Sequence, residues 1–116
     1  MSKGILVCVT AQRECERLIR RGADLAREKD EPLLVFHVST PRQMSAANRA
    51  ETLNLLYALS REAGADMETV EADPPADAIL ARCAAGAFST VILGKGPGAV
   101  AATLTRALGE QRVLIL

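Results

Sequence analysis

The chain reads as five short apolar runs, separated by stretches in which apolar residues recur every three or four positions. The first run, GILVCV at Gly4 to Val9, is apolar without alternation, as in a strand buried on both faces. From Ala11 to about Glu28 the period lengthens. Cys15, Leu18, Ile19, Gly22, Ala23, Leu25 and Ala26 recur at helical spacing, with charged residues between them. A glycine inside a helix costs about 1 kcal/mol against alanine, so Gly22 predicts a close approach of this helix to the sheet. Pro32 ends the helix, and LLVFHV at Leu33 to Val38 is a second buried strand. Ala46 to Ala63 is helical, with Ala46, Ala50, Leu53, Leu56, Tyr57, Ser60 and Ala63 along one stripe and Gly64 in the C′ position after it.

DMETVEA at Asp66 to Ala72 alternates Met67, Thr69 and Glu71 against Asp66, Glu68 and Val70, which predicts a half-exposed strand at a sheet edge. Asp73 before Pro74 and Pro75 combines an N-cap residue with proline at the first helical position. The helix it opens runs to about Ala87, with Ala78, Ile79, Cys83, Ala84 and Ala87 inward. TVIL at Thr90 to Leu93 is a fourth strand. GKGPG at Gly94 to Gly98 follows it, then a helix over roughly Ala99 to Leu108 and a last apolar strand, VLIL, at Val113 to Leu116. Each crossover is long enough to return the next strand parallel. The order β-α-β-α-β-α-β-α-β therefore predicts a three-layer α/β/α sandwich in one domain spanning 1–116.

Composition narrows the partners. Fourteen basic residues balance fourteen acidic ones, and aromatic residues make up 3% of the chain. That leaves neither the basic face that a nucleic acid requires nor the aromatic platforms that stack single strands. The opening MSKGILVCVT has too short an apolar run for a signal sequence, and no stretch approaches the ~20 apolar residues of a membrane span. The chain is therefore expected in the cytoplasm, away from membranes. Cys8, Cys15 and Cys83 form no CxxC pair and fall within apolar runs or on apolar faces, so they read as reduced packing residues.

Ligands of open parallel sheets bind beyond the carboxyl ends of the strands, where the strand order reverses. The glycine-rich loop follows the fourth strand, which favours a sheet of order 3-2-1-4-5. A flavodoxin-like order would instead bring Asp73-Pro74-Pro75 beside the first strand. In the favoured order Thr10, Ala11 and Gln12 face GKGPG across the switch point. Glycines let a phosphate approach the backbone, a following helix N-terminus offers free N–H groups, and Lys95 adds a positive charge. An ordinary strand-to-helix turn has the same composition, and the GxxxxGKS or GxxxxGKT spacing of a Walker loop is absent. Arg13 would stand near such a phosphate. The plainer reading puts Arg13 with Arg17, Arg20 and Arg21, among Glu14, Glu16 and Asp24, on a solvated mixed-charge face, with Arg20 and Asp24 as an i,i+4 pair. His37 reads as packed and hydrogen-bonded, and the chain has no second histidine for a His-based metal cluster. Ser39 and Thr40 have no base beside them. Val9-Thr10-Ala11 stands where a phospho-accepting receiver domain keeps an acidic cluster. No efficient catalysis is expected, a slow ATPase at most.

Taken together, ILVCV, ERLIRRGADLA, LLVFHV, GADMETVEADPPADAIL and STVILGKGPG resemble the universal stress protein family over almost the whole chain, with its short bacterial members the nearest in flavour. The VCVT opening and the ERLIRR helix are also similar to the universal stress domain of potassium-responsive sensor kinases. The resemblance implies an adenine-nucleotide α-hydrolase-like fold of order 3-2-1-4-5. It also implies, in many members, ATP or AMP at the switch point (Mg²⁺ accompanying ATP) and dimerisation through the last strand. An apolar edge strand at Val113 to Leu116 agrees with a homodimer, since an antiparallel second copy would satisfy it.

Carried over residue by residue, the implied site comprises Thr10, Val38, Gly94, Lys95, Gly96, Gly98 and Thr103. The backbone at Val38 would meet adenine, and amides near Gly98 would hold phosphate. Two departures from the family pattern stand out. ATP-binding members place an Asp just after the first strand, where this chain has Thr10 or Ala11 and no acidic residue before Glu14. Their phosphate loop runs Gly-x-x-Gly and later Gly-Ser or Gly-Thr, whereas Gly94, Gly96 and Gly98 alternate with single residues and Thr103 is a rough substitute for the later pair. Two functions follow. One is a stress-associated regulatory module sensing an adenine nucleotide. The other is a member that binds none and acts through dimerisation and protein contacts. An ATP pyrophosphatase of the wider group is disfavoured, because VCVTAQRE lacks the glycines of its SGG-x-DS loop.

Overall fold

The apolar runs become strands and the helical periods become helices in the order β1 (Gly4–Val9), α1 (Cys15–Lys29), β2 (Leu33–Ser39), α2 (Ala46–Ala63), β3 (Asp66–Glu71), α3 (Pro75–Ala85), β4 (Phe88–Leu93), α4 (Val100–Leu108) and β5 (Val113–Ile115). The computed structural model describes residues 3–9, 15–39, 46–72, 75–94 and 100–116. Every strand pairs parallel with its neighbours, and the sheet order is β3-β2-β1-β4-β5. β1 is central, with Val7 opposite Val35 on one side and Ile92 on the other.

Because side chains alternate across a strand, the unbroken apolar runs feed two cores. Ile5, Val7, Val9, Leu33, Val35 and Ile92 meet Cys15, Leu18 and Ile19 of α1 and Leu56 of α2 on one face. Leu6, Cys8, Leu34, Phe36, Val38, Val91 and Leu93 meet Ile79 and Cys83 of α3 and Leu104 of α4 on the other. The result is the three-layer sandwich with two helices on each face. Gly22 is buried, and a β-carbon there would overlap Val7 Cγ2 and lie 3.0 Å from Leu33 Cδ1, so the close approach expected of α1 is present. β3 is an edge strand whose Met67 and Val70 are half-buried against opposite cores. No helix among the described residues is long and apolar enough to cross a membrane.

Two helices end alike. After α2, Gly64 takes φ 68°, its N–H donates to Arg61 O at 3.2 Å, and Ala65 N–H donates to Ser60 O at 2.9 Å. This is the double closure of a Schellman motif around a left-handed C′ residue. After α1 the same closure forms around Asp30, at φ 55°, with Glu31 N–H donating to Ala26 O at 2.9 Å. Pro32 follows, but the turn residue is Asp30.

Several sequence expectations are corrected. Tyr57 is 54% exposed and Ala50 is exposed, while Leu56 and Ser60 hold the buried line of α2. Tyr57 lies a hundred degrees around the helix from Leu56, which carries it past the contact with α1 and the sheet. In α3 the inward line is Ala76, Ile79 and Cys83. Ala84 is exposed, and the chain leaves the helix at Ala85, which puts Ala87 outside as well. β4 begins at Phe88 rather than Thr90, because its early polar side chains find partners: Ser89 Oγ donates to Glu31 Oε1 at 2.7 Å and Lys29 Nζ to Thr90 Oγ1 at 3.1 Å. Arg20 pairs with Glu16 at 2.5 Å rather than with Asp24, which Arg27 takes at 2.6 Å. An acidic residue four positions before its basic partner is the better orientation along a helix. The expected starts of α1 at Ala11 and α4 at Ala99, and the Asp73-Pro74 cap, lie outside the described residues.

Candidate functional site

β1 passes into α1, on one face of the sheet, and β4 passes into α4, on the other. The carboxyl ends of two adjacent strands are thereby left side by side while their crossovers depart to opposite faces. This is the switch point at which open parallel sheets bind ligands. Register fixes which residues flank it. Val9 is level with His37 and Val7 with Ile92, so Val38 and Ser39 close the strand on one side of β1, and Leu93, followed by Gly94, closes the strand on the other.

Val38 is 1% exposed, with its side chain in the core beneath α3 and α4. What it can offer a ligand is main chain. Gly94 is buried directly after β4. Thr103 lies one turn into α4, half-buried. Val38 and Gly94 are thus brought to the same rim of the sheet, while Thr103 belongs to the helix below it. Thr10, Lys95, Gly96 and Gly98, with Arg13, lie outside the described residues.

The neighbouring polar groups are engaged in holding strands together. Ser39 Oγ donates to Val70 O at 3.4 Å, and Ser39 O accepts from Ala72 N–H at 3.0 Å, which ties the carboxyl end of β2 to that of β3. His37 is 1% exposed, and its Nδ1 shares a hydrogen bond of 2.9 Å with Thr69 Oγ1. Thr69 is its register partner across β2 and β3. Sequence reasoning expected a partner for His37 without naming one, and the alternation of β3 is the signal that places Thr69 on the same face. Among the described residues no group of His, Cys, Asp and Glu converges as a metal ion would require.

The three thiols are free and buried. Burial pushes the Cys8 thiol far above its ordinary value, with Cys83 nearby adding to the effect. Burial also raises Cys15, against backbone hydrogen bonds that favour its thiolate. It raises Cys83 too, against the nearby Arg112 and Arg82 guanidinium groups. Neutral, apolar thiols are poor nucleophiles and poor metal ligands, and packing is what these three do.

Comparison with known proteins agrees with the geometry. The profile of the universal stress protein family matches residues 1–107. No curated protein sequence matches the chain. Among solved structures, a universal stress protein from Archaeoglobus fulgidus superposes with a TM-score of 0.73 at 21% identity, covering 99% of this chain and 93% of that one. A universal stress protein from the same organism in complex with dAMP superposes with a TM-score of 0.69 at 22% identity, covering 97% and 96%. A universal stress protein in complex with cAMP gives 0.68 at 21% identity, covering 99% and 96%.

Proposed function

The chain belongs to the universal stress protein family, and from that premise we propose that it is a small cytoplasmic regulatory module, active in stress responses, that binds an adenine nucleotide at the switch point between β1 and β4. The observation that carries the reading is the pair of adjacent strand ends, β1 at Val9 and β4 at Leu93, flanked by main chain at Val38 and Gly94. The relatives that hold dAMP and cAMP support the ligand class. Adenine would lie against the main chain at Val38. Phosphate would lie against backbone amides near Gly98, Pro97 having no N–H to offer, with Lys95 supplying charge and Thr10 and Thr103 supplying hydroxyls.

Residues 10 to 13, Thr-Ala-Gln-Arg, contain no carboxylate to meet a Mg²⁺ ion. The tighter ligand is therefore expected to be one that needs no metal, AMP before Mg²⁺-ATP. The same stretch, with the altered glycine spacing, favours a second reading in which the protein binds no nucleotide and acts as a homodimer through protein contacts.

Titration calorimetry of the protein with AMP, with ATP and with ATP plus Mg²⁺ separates the two. Micromolar binding that is lost in the double variant Gly96→Val, Gly98→Val, while the variant keeps its melting temperature, supports a nucleotide site. Binding unchanged by those valines counts against the glycine loop as its location. No heat with any of the three at millimolar concentration overturns the nucleotide reading and leaves the second.

A further inference from the structure

We draw no further inference here: the strongest candidate, the open groove between α1 and α2 floored by Ile19, Ala23, Leu59 and Ala63, carries nothing because its rim arginines, Arg20 and Arg27, already pair with Glu16 and Asp24 along their own helix and nothing in the structure shows what covers it.

Discussion

A β-carbon at position 22 would have to share space with Val7 Cγ2, a branched side chain at the centre of the sheet with no room to swing away. The glycine's helical penalty of about 1 kcal/mol is therefore the lesser of two effects. Gly22→Ala should lower stability by about 1–3 kcal/mol, the usual range for overpacking, as read from the urea midpoint. Adding Val7→Ala should recover part of the loss, and a purely additive double variant would mean that the two positions do not compete. His37 presents the complementary case of a polar group that needs its neighbour. Thr69→Val removes the hydroxyl from Nδ1. Because Thr69 lies at an exposed edge, water can substitute in part, so a loss near the lower end of the usual range, about 1 kcal/mol, is expected in the same measurement.

At the scale of elements, the two edges of the sheet differ in chemistry. β3 presents Asp66, Glu68 and Glu71 to solvent, with Glu68 forked by Arg82 at 2.9 and 3.0 Å. Charges of this kind discourage strand addition. β5 carries Val113, Leu114 and an exposed Ile115. If a second copy adds there, as the family reading proposes, Ile115→Lys should turn a dimer into a monomer in sedimentation equilibrium without lowering the far-ultraviolet helical signal. A wild-type protein that is already monomeric at high concentration would remove the proposal. The elements themselves were legible because each carries one period, and α2 occupies Ala46–Ala63 as its apolar stripe and Gly64 predict. What was not legible depended on partners distant in sequence. The polar start of β4 is held by Glu31 and Lys29, 58 and 61 residues away along the chain. Of the candidate site, the sheet order followed from where the glycines fall. The contribution of Val38 as main chain needed the register, since its apolar side chain gives no sign of a binding role.

For the molecule as a whole, the three buried thiols couple stability to alkaline pH. Each is held neutral in the fold, with its pKa raised above an ordinary value of 9.0, and ionises at that value when the chain unfolds. The unfolded state thus binds fewer protons above pH 9, and unfolding becomes progressively easier as pH rises beyond it. Urea denaturation between about pH 8 and pH 10 should show this decline, and Cys8→Ala should make it shallower whatever it does to stability at pH 7. An unchanged slope would mean that Cys8 is not the main source. The central position of β1 has a consequence in time. Val7 meets Val35 after a single crossover, but it meets Ile92 only about three times as far along the chain. Closing the longer loop is the slower event. During synthesis, a strand whose six residues are all buried in the finished protein spends most of its early life as an edge strand, and the hazard of misassociation is set by how soon β4 emerges to cover it.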